Sequence, residues 1–165
     1  MKKLLNIAGV VAALFVAVWV YRVLFPGDER LIRRLLAEVA ETAEVKSNEN
    51  PLFKIAGANR LAGYFSPDAV LRMDVPGVDS RGLDSPEDIR HAFTAARAGL
   101  QEAKFQVQEL QVTVADSQSA TAQFVGVAYL NGSGDPLVQE FKMQLRKIDN
   151  RWKISRVETV KTLGM

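Results

Sequence analysis

The sequence predicts an α+β domain, three helices packed into a strongly curved antiparallel sheet, carried behind one N-terminal membrane-spanning helix. Three observations predict it. A single apolar run opens the chain, helix-period and strand-period patterning then fill separate stretches, and two of the strands change their apolar face partway along.

The first element is the apolar run. Leu4 to Tyr21 is apolar except for Asn6, with Lys2 and Lys3 before it and Arg22 after it. At about 1.5 Å per residue, roughly 20 residues cross the hydrocarbon, and Leu4 to Phe25 meets that length if Arg22 reaches back to the headgroups. Trp19 and Tyr21 then lie at the interface, and Pro26 and Gly27 end the helix. A cleaved signal peptide is disfavoured, because the run is too long and no small-x-small cleavage site follows it. The short basic tail ahead of it fits a signal-anchor spanning residues 1–27. That places residues 28–165 outside the cytoplasm, in the periplasm for a single-pass protein of a Gram-negative inner membrane. Asn6, Gly9, Ala13 and Ala17 form a stripe on which a second membrane helix could pack.

The soluble part follows in order. From Arg30 to Val45, Leu31, Ile32, Leu35, Leu36, Val39, Ala40 and Ala43 share one helical face, with Asp28 as the expected cap. Asn50 and Pro51 open a second helix, in which Ile55, Ala58, Leu61, Ala62 and Phe65 recur at helical spacing until Ser66 and Pro67 stop it. Ala69 to Val75, the turn at Pro76 and Gly77, and Val78 to Leu83 read as a hairpin. Ser85 and Pro86 open a third helix with Ile89, Ala92, Phe93, Ala96 and Leu100 on its apolar face. Phe105 to Val114, Ala120 to Leu130, Leu137 to Ile148 and Trp152 to Leu163 are four strands.

Phe105 and Val107 are odd-numbered, whereas Leu110, Val112 and Val114 are even. A strand changes face only by inserting a residue, so a β-bulge is expected at Gln108 and Glu109. Trp152 and Ile154 against Val157 predict a second. A sheet bent twice has a concave side to fill, and the helices are what is available to fill it.

Three local segments carry a resemblance: Tyr64 to Val70 at the end of the second helix, Arg81-Gly82 ahead of the third, and Asn150 to Ile154 entering the last strand. In this order, over about Glu29 to Thr162, the chain resembles the nuclear transport factor 2-like superfamily, which includes the SnoaL-like proteins. The resemblance implies a cone-shaped α+β fold. It also implies a range of uses, from isomerases and dehydratases to non-catalytic binding and assembly modules, often dimeric through the sheet and in some cases membrane-tethered.

Composition narrows those uses. Lys plus Arg exceed Asp plus Glu by only 21 to 19, which gives no electrostatic footprint for nucleic acid. No cysteine is present, which removes thiolate nucleophiles, iron–sulfur clusters and cysteine zinc sites. No phosphate-binding or dinucleotide motif occurs, and no cofactor or metal is implied. The one histidine, His91, projects away from Ile89 and Phe93 on its helix. Tyr64, Arg72, Asp74 and Tyr129 are the candidates for lining a cone cavity, with packing, an outward ion pair and turn roles as the competing readings. Asp68 reads as a turn residue, and the basic tone of Arg146 to Lys161 as a charged sheet edge or a surface for anionic headgroups. The favoured function is a membrane-tethered, non-catalytic accessory or scaffolding module, whose partners are other subunits of a membrane complex or a second copy. The alternatives are a SnoaL-like enzyme or a small hydrophobic ligand binder or carrier using the cone.

Overall fold

The computed structural model describes residues 27–73 and 83–160. The apolar segment with Asn6, Gly9, Ala13 and Ala17 lies outside the described residues, as do Asp74 and the turn at Pro76 and Gly77. Among the described residues no helix is long and apolar enough to cross a membrane.

The elements run α1 (Asp28–Ala43), α2 (Pro51–Ala62), β1 (Phe65–Arg72), α3 (Pro86–Gly99), β2 (Ala103–Val114), β3 (Ser119–Leu130), β4 (Leu137–Ile148) and β5 (Arg151–Thr159). They form the expected cone, with the helices against one face of a five-stranded sheet of order β1-β5-β4-β3-β2. Strands β2 to β5 are an antiparallel meander, whereas β1 runs parallel to β5, so the sheet is mixed and not purely antiparallel. The turns follow from their residues. Asn131 and Gly132 adopt φ of 52° and 71°, and Asp149 and Asn150 adopt 48° and 60°, the left-handed pairs that tight reversals between twisted strands require.

Both bulges are present. Between Gln108 and Gln111, β2 has two residues where β3 has only Phe124, and Glu109 takes up a φ of 53°. The second falls at Ser155, which has no partner between the pairs Leu145↔Ile154 and Gln144↔Arg156. Each returns the apolar side chains to the helix side, so Ile154 and Val157 are both buried despite opposite parity.

The core joins Ile32 and Leu36 of α1, Ile89 of α3, Leu71 of β1, Phe124 of β3, Met143 and Leu145 of β4, and Trp152, Ile154 and Val157 of β5. Each fully buried aliphatic side chain contributes about 1.5–3 kcal/mol. Phe124 stacks on Phe141 across the β3–β4 pair with centroids 5.6 Å apart. The Phe141 ring lies across Gly126, where an added Cβ would come within 2.8 Å of it.

Several boundaries differ from the sequence reading. The second helix stops at Ala62, and Phe65, Ser66 and Pro67 belong to β1. The edge position of β1 tolerates the proline, because its outer N–H would have had no partner. Three extra residues between the pairs Phe65↔Ile154 and Val70↔Arg156 bulge out there. Asp68, read as a turn residue, is in this bulge and pairs with Arg146. Ile55 is 47% exposed instead of buried, and Ala96 is exposed. The basic strands β4 and β5 lie inside the sheet, not at its edge. The return strand of the first hairpin is represented by Leu83, whose backbone exchanges two hydrogen bonds with Leu71.

Candidate functional site

The four cavity candidates are not gathered. Tyr64 joins α2 to β1 and packs against the core, with its hydroxyl 3.2 Å from Thr42 Oγ1. Arg72 ends β1, 59% exposed and 3.9 Å from Asp84. Asp74 lies outside the described residues. Tyr129 pairs with Lys104 on β3 and is 37% exposed. Its odd position points it away from the buried, even-numbered Phe124 and therefore away from the helices. His91 is exposed, as its helical position predicts.

What the helices do bring together is centred on Arg97. This side chain of α3 is only 4% exposed. Its Nη1 donates to the carbonyls of Thr42 at 2.7 Å and Ala43 at 3.2 Å. These are among the last carbonyls of α1, which have no partner within the helix. Its Nη2 donates to Glu49 Oε2 at 3.1 Å. The position was legible in one respect, since Ile89, Phe93 and Arg97 fall at four-residue spacing on one helical stripe. A basic residue there reads as exposed until Glu49 is known to lie across from it.

Gly57 of α2 makes the arrangement possible. A Cβ on it would stand 2.6 Å from Arg97 Nη2. Alanine normally favours a helix interior over glycine by about 1 kcal/mol. Here Gly57→Ala is expected to do the reverse and destabilise by about 1–2 kcal/mol, because the guanidinium must leave its three acceptors. A lowered urea midpoint would show it.

Arg97 floors a cleft of about 400 Å³ between α1 and α2, with Glu41, Thr42, Phe53 and Arg60 among its walls. A second cleft of about 450 Å³ shares Glu49 and is lined by Ser47, Lys54, Glu102 and Asn131. Both can hydrogen-bond a polar ligand. Among the described residues, the buried polar side chains are Ser66 and Arg97, and no three His, Asp or Glu side chains converge as a metal site.

A further polar cluster marks the point where the chain enters the domain. Gly27 provides no side-chain cap for α1, and Asp28, the expected cap, instead accepts from Lys147 Nζ at 2.5 Å and Trp152 Nε1 at 2.9 Å. The hydrogen bond from Lys147, then that from Trp152, hold the Asp28 carboxyl below its ordinary value of 3.8 against the opposing effect of burial. The folded state therefore binds this proton less readily than the unfolded chain. The contribution is present above the unfolded value and is lost as pH falls through the folded one. Asp28→Asn is expected to cost about 1 kcal/mol at neutral pH. It should also flatten the loss of stability below about pH 4, seen in urea midpoints measured down the acid limb.

The chain matches the family model described as SnoaL-like domain over residues 34–158, most of its length. It belongs to that family. Solved structures agree on the fold. An NTF2-like protein with a cystatin-like fold from Novosphingobium aromaticivorans aligns at a TM-score of 0.65 and 18% identity, covering 100% of this chain and 94% of its own. A proposed scytalone dehydratase from the same species aligns at 0.64 and 14% identity, covering 82% of this chain and 85% of its own. A proposed calcium/calmodulin dependent protein kinase II association domain from Xanthomonas campestris aligns at 0.65 and 19% identity, covering 84% and 91%. No curated protein matches the chain. At these identities the likeness is one of fold alone.

Proposed function

We propose that this SnoaL-like chain is a membrane-tethered, non-catalytic module that assembles with other subunits of a membrane complex or with a second copy. The apolar segment Leu4 to Phe25 is the tether, in an inner membrane, and the domain stands on the extracytoplasmic side. One observation carries the reading. Where a cone enzyme needs ionisable side chains in a pocket that shifts their pKa values, Leu36, Ile89, Phe124, Met143, Leu145 and Ile154 meet in a packed core.

The exposed surface supports the same reading. α2 opens with Leu52, Phe53 and Ile55 exposed at 73%, 67% and 47%, neighbouring apolar side chains of the kind that mark contact surfaces. The likeness to an association domain is compatible with it.

A thermal-shift screen of the purified full-length protein against small apolar and aromatic carbonyl compounds tests the reading. No compound is expected to move the melting temperature by more than about 1 °C. A saturable rise of several degrees, abolished by filling the cone with Ala122→Leu, would establish a ligand chamber instead.

A further inference from the structure

The point of chain entry determines which surface of the domain a membrane meets. This step rests on the tethered reading above. The apolar run ends at Phe25 and α1 begins at Asp28, leaving Pro26 and Gly27 between them. Two residues span at most about 7 Å when fully extended, so the first turn of α1 stays close to the headgroup layer.

Two hairpin turns share that end of the domain. Asp28 is held by Lys147 and Trp152, which flank the β4–β5 turn at Asp149 and Asn150. The backbone N–H of Lys147 donates to Gln118 O, 2.8 Å away, in the β2–β3 turn. The entry point at Asp28 is therefore tied to the sheet, beside these two turns.

Charge is distributed unevenly between the two ends. In residues 28–34, 115–119 and 146–153, Lys and Arg outnumber Asp and Glu by seven to four, whereas the described residues as a whole carry slightly more acid than base. Asp28 and Glu29, two of the four acids, are held by Lys147 and Arg33. Arg34 and Arg146 reach to Glu38 and Asp68 just outside this group, but Arg34 keeps 80% of its side chain exposed. Such an exposed pair is worth little and exchanges readily for another anion. Arg30 and Arg151 are also exposed here.

We propose that this end of the domain seats on anionic phospholipid headgroups through Arg30, Arg34 and Arg151. α1, at about 1.5 Å per residue over its 16 residues, then carries the chain roughly 24 Å to the opposite end. There Leu52 and Phe53 of α2 stand clear of the bilayer, presented to the partner.

The cysteine-free chain allows single labels without further change. A fluorophore on Ser117→Cys in the β2–β3 turn, or on Asp135→Cys in the β3–β4 turn, is followed in full-length protein reconstituted into vesicles carrying a headgroup-attached quencher. In phosphatidylglycerol-containing vesicles the label at 117 should be quenched and the label at 135 should not. In pure phosphatidylcholine the quenching at 117 should fall, as it should in high salt. Each basic residue at an anionic surface shifts the seated population about fivefold, so Arg30→Gln, Arg34→Gln and Arg151→Gln together should release the label at 117 almost fully. Equal quenching in both lipids, or no effect of the triple substitution, would overturn the seating. Alkaline carbonate extraction of the same vesicles separates the two levels. A chain washed off shows that the tether itself is wrong, whereas a retained chain with an unquenched label at 117 removes the seating alone.

Discussion

Arg97→Ala is expected to lower the unfolding free energy by about 3 kcal/mol or more, one of the largest effects of any single substitution in this domain. The loss has three sources. Glu49, whose side chain is only 18% exposed, loses its guanidinium partner. The carbonyls of Thr42 and Ala43 lose the donor that ends α1. A void opens against Gly57. Arg97→Lys should recover part of the charge pairing but not the fork that serves α1 and Glu49 together. Restoration of half the loss or less by lysine, in urea denaturation, is the expected pattern. Full stability of Arg97→Ala would mean that the three contacts are not made together.

Trp152→Ala should cost about 3–5 kcal/mol, because it removes an aromatic side chain from the core and the N–H that fixes Asp28. Trp152 is 6% exposed, with Lys147 Nζ 5.0 Å from its ring centroid. Trp152→Phe separates the two contributions. It keeps most of the volume and forfeits the hydrogen bond, for an expected loss of about 1 kcal/mol. Equal losses for Ala and Phe would place the energy in the Asp28 contact and not in packing.

The sequence made the bends of the sheet legible and left the partner of its first strand obscure. The bulges at Glu109 and Ser155 could be read because strand periodicity is two, so a change of parity in the apolar residues has a single geometric cause. The parallel pairing of β1 with β5 left no such trace, since the pattern of one strand does not name its neighbour. Ser66 and Pro67 read as stop signals and proved to be a bulged edge strand, where proline costs no ladder bond. Ile55 has the right period for a core face, but α2 buries only Ala58 and Leu61, so that spacing marked a helix without marking its buried side.

The candidate site was less legible, for a related reason. Tyr64 and Tyr129 were grouped by chemistry, yet they belong to opposite faces of the sheet. Arg97 was passed over because burial of a guanidinium depends on partners that are distant in sequence. Glu49 and the end of α1 lie about fifty residues away.

A pull-down of the full-length protein from native membranes in mild detergent, followed by mass spectrometry, tests the assembly reading most directly. Recovery in fixed proportion with other membrane subunits, or as a stable pair of copies, is the predicted result. Release into the soluble fraction, or recovery as a lone monomer that retains a small molecule, would contradict it.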